Sequence, residues 1–410
     1  MFSNYFNNKK ILYLNDRHEE EDTESEDRRE LYDKRILPLL GENDAVIFAE
    51  EVDPFLLKYY QSLDLATIKK ENVFYVHDYL NYPSLTKAIL SDQLLIKKIK
   101  KRNFDILIPY IESYDTQVLA KRIGCRILRA ADKTDWINNK TNYRQVIQKL
   151  NFPMIPGFTV KNLEEAKKCF RSLKNQGFKE VIFKKERSVS GFGIFIVKTE
   201  KELKEQLKKK FFNQRQFLLE GLIETIKISP NIQYWVEPKK IDLIVVSDQL
   251  FEEDRVSYAG NIFPSEIKQM PDIWEKIEYF SLKFCDYLQR QEYYGLVGID
   301  YLITKSGNIY STEANVRFNG STFAALVAKK LFGETNNIYW KTISIKISPR
   351  SFRDLFESIS GYFITKRDKY GLFPIGVDLL DSMGEGQFVA IGRTFREVNQ
   401  YIKRLEQTKK

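Results

Sequence analysis

Cysteine and histidine are scarce in this chain of 410 residues. The three cysteines, Cys125, Cys169 and Cys285, lie far apart and match no metal or redox spacing. The two histidines, His18 and His77, both lie in the N-terminal part, which argues against a histidine-rich metal site or a histidine-based catalytic triad. With no disulfide pattern to suggest an oxidising compartment, we expect a cytoplasmic protein.

Long hydrophobic runs are also lacking. No stretch reaches the length that a membrane-spanning helix needs, and the first residues lack the apolar core of a signal peptide. The hydrophobic fraction of 43% is ordinary for a folded protein, and 410 residues are too many for one core of usual size. We therefore expect two or three domains and no membrane partner.

The charge balance is positive, with a formal net charge of +9. Many lysines fall on amphipathic helical patterns such as 94–101 and 201–210, where a solvated face explains them. A positive overall field favours an anionic ligand such as a nucleotide. Binding of nucleic acid would need basic residues interleaved with exposed aromatic ones, and the aromatic residues here mostly occupy apolar faces. We expect no nucleic-acid partner.

The order of apolar runs and helical patterns divides the chain into four parts. Strand-like runs alternate with helical patterns through residues 1–130, which predicts a parallel α/β domain without a glycine-rich phosphate turn. Residues 131–223 predict an α+β unit with a glycine loop between two strands. Residues 224–335 contain paired strands and a long helix, and residues 336–410 end in a strand and a helix.

The most informative part of the chain is a predicted β-hairpin with two apolar strands. If residues 306–307 form a two-residue loop, Asp300 lies opposite Glu313. If residues 307–308 form the loop, Asp300 lies opposite Asn315. In either register Asp300, Glu313 and Asn315 share one face of the sheet, because residues two apart on a strand point to the same side.

We expect a cation to lie between two carboxylates that share one face of a sheet. Directly opposed Cβ atoms lie roughly 5 Å apart, and like charges at that distance are destabilising. Three oxygen ligands without a nearby histidine or cysteine select a hard cation, most simply Mg²⁺. The alternative is that Asp300 and Glu313 are solvated on an exposed face. The apolar flanks, and the extension of the polar face by Asn315 and Arg317, favour the metal site.

A second signal is the loop 188–193, which follows a predicted strand over 181–185. Glycine and serine allow backbone N–H groups to surround phosphate oxygens. Such loops are common in hairpins, but Lys184 near the end of the strand is well placed for a nucleotide phosphate. Lys140, just before a predicted helix, is another candidate. Either lysine alone would be read as a surface residue.

A third signal is the strand-to-linker segment 216–223, which contains Glu220 and Gly221. The backbone of such a segment can offer N–H and C=O groups to the edge of an adenine. The simpler alternative is a plain connection between two domains. The order of all these features is more specific than any one of them.

That order resembles the ATP-grasp superfamily over about residues 130–332. The 13-residue separation between Asp300 and Glu313 matches the hairpin of that family. The resemblance implies an ATP-grasp fold with four parts, which are a Rossmann-like pre-ATP-grasp domain (1–130), a lid subdomain (131–223), a core (224–335) and a C-terminal α+β extension (336–410). Within the family, the chain is similar to peptide ligases of the pheganomycin-biosynthesis type in the segments 229–233, 247–249, 259–264, 371–374 and 388–392.

The resemblance also implies a role for each matching residue. These are Lys140 and Lys184 at the nucleotide phosphates, Ser190, Gly191 and Gly193 in a mobile lid loop, Glu220 and Ile223 around the adenine, Asp300, Glu313 and Asn315 at Mg²⁺, and Arg317 at the transferred phosphate or the acyl phosphate. Arg317 and Lys184 would act on the reacting groups. One departure concerns the acidic ribose ligand of the family, whose expected positions hold Lys227 and Ile228 here, so that Glu224 would have to bind the ribose.

The implied function is an ADP-forming carboxylate–amine ligase with ATP and Mg²⁺ as cofactors, which joins a small carboxylate to an amine or a peptide through an acyl phosphate. One alternative is a non-catalytic regulatory protein that binds nucleotide, although binding alone would need fewer of the four residues Asp300, Glu313, Asn315 and Arg317. A nucleic-acid-binding protein is the third hypothesis. The sequence identifies neither the acid nor the amine, and it leaves room for a homodimer.

Overall fold

The computed structural model describes residues 9–16, 33–127, 131–187, 193–210, 216–333 and 337–409. Within these ranges the strands form one parallel sheet and two antiparallel sheets. This combination confirms the predicted α/β and α+β fold class. Ser190 and Gly191 of the predicted glycine loop lie outside the described residues, and Gly193 lies inside them.

The first sheet has the spatial order 3-2-1-4-5. Its strands are β1 (Ile11–Leu14), β2 (Ala45–Phe48), β3 (Val73–Tyr75), β4 (Ile106–Pro109) and β5 (Arg126–Ile127), and its helices are α1 (Pro54–Ser62), α2 (Leu85–Ser91), α3 (Gln93–Lys100) and α4 (Tyr114–Ile123). Strands β1, β2 and β4 are buried at every residue, as expected for parallel strands with both faces covered. The order reverses between β1 and β4, where sheets of this type bind ligands at the carboxyl ends. Tyr110 directly follows β4 at this edge.

The second sheet is antiparallel and has the order 6-9-7-8. Its strands are β6 (Gly157–Val160), β7 (Val181–Lys185), β8 (Ile194–Val197) and β9 (Phe217–Gly221), and the helices before and beside it are α5 (Ala131–Ile137), α6 (Lys140–Lys149), α7 (Leu163–Asn175) and α8 (Glu200–Lys210). Helix α7 buries Ala166, Phe170 and Leu173 in the core beneath this sheet. Their spacing places them on one face of the helix, and this explains the amphipathic pattern of the sequence.

The third sheet has nine strands. They are β10 (Ile226–Ile228), β11 (Pro230–Val236), β12 (Ile241–Phe251), β13 (Tyr258–Phe263), β14 (Gly295–Thr304), β15 (Ile309–Asn315), β16 (Tyr339–Lys346), β17 (Gly371–Leu379) and β18 (Glu385–Gly392), with helices α9 (Pro271–Arg290), α10 (Gly320–Phe332), α11 (Phe352–Ser358) and α12 (Phe395–Glu406). Strand β13 pairs with β16, with Ile262 opposite Lys341. The predicted division at residue 335 therefore crosses a continuous sheet, and the domain boundaries stay predictions.

The hairpin of β14 and β15 has the register in which Asp300 lies opposite Glu313. Neither predicted two-residue turn is found, because the Thr304 N–H donates to Asn308 O at 3.0 Å and closes a longer loop. Gly307 has φ +82°, as a three-residue loop with a left-handed glycine requires. The register shifts between Asp300 and Tyr301, where Thr312 is the additional residue of β15. The longer loop shifts the pairing of the two strands by one residue, and the bulge reverses that shift. The two carboxylates therefore still oppose each other.

The N-terminal sheet packs on the C-terminal strands through one hydrophobic core. The Tyr59 hydroxyl donates to Ile364 O at 3.0 Å, and the Tyr60 hydroxyl donates to Pro374 O at 2.9 Å. These contacts bring the first and last parts of the chain together around α10. Across the described ranges, no helix is both long enough and apolar enough to cross a membrane.

Candidate nucleotide and metal site

Asp300, Glu313 and Asn315 come together on one face of the third sheet, as predicted. Asp300 lies in β14 and is 2% exposed, whereas the Glu313 side chain in β15 is 29% exposed. The Asn315 amide nitrogen donates to Asp300 Oδ2 at 3.2 Å and to Glu313 Oε1 at 3.3 Å. The amide therefore lies between the two carboxylates that the sequence predicted as metal ligands.

The two carboxylates occupy unequal electrostatic environments. Burial, together with the charge of Glu313, raises the pKa of Asp300 above its ordinary value. Burial also disfavours the charged form of Glu313, but the Lys140 ammonium and then Lys184 outweigh it and hold the pKa of Glu313 low. Burial and the neighbouring carboxylate thus penalise the charge of Asp300, whereas two lysines stabilise the charge of Glu313.

Lys140 is the cation that compensates Glu313. It is the first residue of α6, after Asn139, whose side chain caps the helix. Its ammonium is 2.9 Å from Glu313 Oε2, and its own backbone N–H donates to Glu186 O at 2.8 Å. Lys140 is 6% exposed, so the start of α6 brings a buried positive charge to the carboxylate of Glu313.

Lys184 in β7 forms an ion pair with Glu220 in β9, the strand next to β7 in the second sheet. The Lys184 ammonium is 2.7 Å from Glu220 Oε2, and Arg144 of α6 is 2.6 Å from Glu220 Oε1. Arg144 also donates to the backbone oxygens of Ile155 and Gly157 at 2.9 and 3.0 Å. The Glu220 side chain is therefore engaged by two cations, and any contact with adenine would fall to the backbone at the end of β9.

The other predicted nucleotide residues lie at the edges of the second sheet. Ile223 is half-buried and Glu224 is exposed, with Glu224 Oε2 3.3 Å from the Lys179 ammonium. Gly193 O accepts the Lys185 N–H at 2.9 Å. Gly193 has φ +75°, and a Cβ there would lie 2.7 Å from the Lys185 side chain. Glycine is therefore required where the loop returns to the sheet.

Arg317 faces the N-terminal domain. Its guanidinium donates to Phe318 O at 2.8 Å and lies 5.8 Å from the centre of the Tyr110 ring. Its charge also favours the ionised form of Asp300. Arg317 thus lies between the carboxylate of Asp300 and the carboxyl end of β4.

The sequence analysis did not identify several residues that surround the predicted site residues in the structure. Arg144 could have been found, because it lies one helical turn after Lys140. The Asn231 amide nitrogen donates to Asp300 Oδ1 at 2.6 Å, and Gln233 donates to Asn231 in turn. Both interrupt the apolar strand β11 at alternate positions, and that polar pattern was a usable signal. Tyr110 gave no signal in the sequence beyond its place after a strand.

The comparisons with known proteins agree with the fold described above. Residues 137–321 match a family model described as an ATP-grasp domain. A curated relative, the butirosin acyl-carrier protein–L-glutamate ligase of Niallia circulans, is 24% identical over 300 residues. That match covers 71% of this chain and 65% of the relative, so the chain spans less than two thirds of the relative's length.

Solved structures share the fold over nearly the whole chain. An N5-carboxyaminoimidazole ribonucleotide synthetase in complex with ADP has a TM-score of 0.62 at 13% identity, covering 97% of this chain and 96% of that one. The biotin carboxylase of Campylobacter jejuni, in complex with β,γ-ATP, has a TM-score of 0.60 at 14% identity, covering 98% and 90%. The predicted resemblance to the ATP-grasp superfamily is therefore confirmed over residues 137–321, which match its domain model.

Proposed function

We propose that this protein is an ATP- and Mg²⁺-dependent ligase that joins a carboxylate to an amine and releases ADP and phosphate. The observation that carries the proposal is the opposed pair Asp300 and Glu313, with the Lys140 ammonium 2.9 Å from Glu313, inside an ATP-grasp domain. A site that only bound nucleotide would need fewer of the four residues Asp300, Glu313, Asn315 and Arg317 than this chain carries.

The donor set fits a magnesium ion. Asp300 and Glu313 supply hard carboxylate oxygens, and Asn315 can supply its amide oxygen if the amide turns over. The amide nitrogen now donates to both carboxylates, in a place that a cation would also suit. Mg²⁺, when bound, would neutralise phosphate charge and orient the phosphates.

The chain's own residues would hold the nucleotide. Lys140 and Lys184 would bind the phosphates, because both are buried cations whose charges act on Glu313. The backbone after β9 and Ile223 would line the adenine. Glu224 is the only carboxylate between residues 221 and 228, and we assign the ribose contact to it. The loop 188–193 would exclude water.

The reaction would proceed in two steps. A substrate carboxylate oxygen attacks the terminal phosphorus of ATP, which forms an acyl phosphate and ADP. The amine then attacks the acyl carbon, phosphate leaves, and the nitrogen loses a proton to give the amide. Arg317 would steady the phosphate in both steps, because its guanidinium favours negative charge at Asp300 and can do the same for a phosphate.

The curated relative suggests which substrate to test first. Its name describes an L-glutamate ligase that acts on an acyl-carrier protein. We propose an amino acid or a peptide as one substrate, with L-glutamate as the first candidate. Bicarbonate is the competing acid to test, because its phosphorylation would also give a mixed anhydride that an amine could attack.

The test is ADP release by the purified full chain with ATP, Mg²⁺ and pairs of amino acids, repeated with bicarbonate as the only acid. We expect ADP release that depends on a specific acid, and a hydroxamate of that acid when hydroxylamine replaces the amine. AMP and pyrophosphate as products, or a stable phosphorylated product in the presence of the amine, would refute the ligase. Tight ADP binding without turnover on any pair would favour the regulatory alternative.

A further inference from the structure

A cluster of four neutral polar side chains lies buried behind Asp300. Its members are Asn231 (3% exposed) and Gln233 (0%) in β11, and Ser321 (1%) and Thr322 (0%) in the first turn of α10. Asn231 lies directly opposite Asp300 in the sheet, and Gln233 lies opposite Gly298. We call this set the polar ladder, because it links the buried carboxylate to the start of a helix.

The hydrogen bonds of the polar ladder form a continuous path. The Asn231 amide nitrogen donates to Asp300 Oδ1 at 2.6 Å. The Gln233 amide nitrogen donates to Asn231 Oδ1 at 2.7 Å and to Ser321 Oγ at 2.6 Å. Ser321 donates to Asn231 Oδ1 at 3.2 Å, and Thr322 donates to Gln233 Oε1 at 2.7 Å.

The helix cap continues this path of hydrogen bonds. Thr322 Oγ1 accepts the backbone N–H of Asn319, the cap residue, at 2.8 Å and donates its own proton to Gln233 Oε1 at 2.7 Å. A Gln233 oxygen that faces Thr322 leaves the Gln233 nitrogen facing Asn231. The Asn231 oxygen must then accept, and only its nitrogen remains for Asp300. Neither amide can turn over without losing bonds in a buried environment.

The same cap residue also holds the segment of Arg317. The Asn319 amide nitrogen donates to Arg317 O at 2.8 Å. Gly298 packs so closely against this cap that an added Cβ would lie 2.3 Å from Asn319 Oδ1. The start of α10 therefore contacts both residues of the site. It reaches the Asp300 carboxylate through a path of side chains, and it holds Arg317 by its backbone oxygen.

We propose that the first turn of α10 positions Asp300 through the polar ladder, with Asn231 as the positioning residue. Asn231 occupies Oδ1 and so keeps Oδ2 directed at Asn315 and the face of Glu313. This inference rests on the proposed metal site. A purely structural cluster would stabilise the fold but would have no influence on how the carboxylate meets a cation.

The test measures Mn²⁺ affinity for the full chain in the presence of ADP, by electron paramagnetic resonance of the free ion. ADP affinity without metal is measured alongside. Asn231→Ala should weaken Mn²⁺ binding by about tenfold or more, as expected when a residue that orients a metal ligand is lost. Metal-free ADP affinity should stay near the wild-type value. Thr322→Val, which does not touch Asp300, should weaken Mn²⁺ binding in the same direction.

The matched control is Ser281→Ala. Ser281 is fully buried and shares a hydrogen bond of 2.9 Å with the hydroxyl of Tyr301, the residue after Asp300, whose side chain points to the other sheet face. This variant should lose stability and keep its Mn²⁺ affinity.

The outcomes separate the inference from the proposed function. A wild-type protein that binds ADP but no Mn²⁺ would refute the metal site itself. Wild-type Mn²⁺ affinity in both Asn231→Ala and Thr322→Val, or losses no larger than in Ser281→Ala, would overturn the positioning role alone. If Asn231→Ala fails to fold, the result for Thr322→Val decides.

Discussion

Glu313 is the residue on which the proposed chemistry most directly depends. It is half-buried rather than deep in the core, and its strongest contact is the ion pair with Lys140. An exchange of carboxylate for amide keeps the shape of the side chain and removes only the charge. Any loss of activity can then be separated from a loss of folding.

We expect Glu313→Gln to abolish Mg²⁺-dependent ADP release while the protein stays folded, because a neutral ligand cannot replace the charge that holds the cation. Steady-state ADP release and thermal unfolding measure the two effects. Glu164→Gln, which removes an exposed carboxylate paired with Lys167, is the control and should behave as wild type. Unchanged ADP release in Glu313→Gln would refute the metal assignment.

Lys184 tests the phosphate contact in the same way. We expect Lys184→Ala to weaken ATP binding by an order of magnitude or more, because a lost charge-assisted hydrogen bond is worth roughly 1.5–3 kcal/mol. Nucleotide titration measures this loss. Lys198→Ala is the control, since Lys198 is exposed and also pairs with a glutamate, Glu180, at 3.3 Å. Equal ATP affinity of the two variants would contradict the role of Lys184.

At the scale of elements, two glycines of the β14–β15 hairpin have different tasks. Gly298 lets β14 approach the cap of α10, where an added Cβ would clash with Asn319 at 2.3 Å. Gly307 supplies the left-handed turn residue, and a Cβ there would meet nothing nearer than Ile273 at 3.8 Å. The hairpin thus needs one glycine for packing beside the site and another for backbone conformation away from it.

We expect Gly307→Ala to lower the free energy of unfolding by about 1–2 kcal/mol, the cost of a left-handed conformation, and to leave turnover unchanged. Gly298→Ala should reduce both stability and ADP release, because it pushes the strand of Asp300 away from α10. Denaturant unfolding and kinetics on both variants measure these effects. Loss of turnover in Gly307→Ala, or full activity in Gly298→Ala, would contradict this division.

At the scale of the whole molecule, the strands after residue 335 complete the sheet that carries the site. Strand β16 pairs with β13 on one side and with β18 on the other. The hydroxyls of Tyr59 and Tyr60 join the N-terminal part to the same C-terminal region. The C-terminal residues are therefore part of a core that includes the N-terminal sheet.

A chain ending at residue 335 should not fold, since it would lose β16, β17 and β18 and would expose both the edge of β13 and the core shared with the N-terminal sheet. Solubility, resistance to protease and cooperativity of unfolding measure this. A chain ending at residue 408 serves as the control and should match the full protein, because it keeps the backbone hydrogen bond of 2.8 Å from Ser348 N to Thr408 O. A soluble shorter chain that binds ADP would show an independent C-terminal unit instead.

The order of local signals in the sequence was enough to predict the resemblance to the ATP-grasp superfamily and the opposed pair of carboxylates. Alternation along β14 and β15 places Asp300, Glu313 and Asn315 on one face whatever the loop, because the side-chain period of a strand is two residues. The glycine loop after β7, Lys140 and Lys184 were likewise predicted from the residues next to them in the sequence. These features depend on residues near one another in the chain.

The tertiary structure alone decided which partner each charge receives. The ion pairs of Lys140 with Glu313, and of Lys184 and Arg144 with Glu220, join residues from separate elements. The loop length and the compensating bulge at Thr312 likewise depend on how β15 meets its neighbours. Local periodicity determines which way a side chain points, but the identity of the charge that it meets depends on packing between distant segments, which no local pattern encodes.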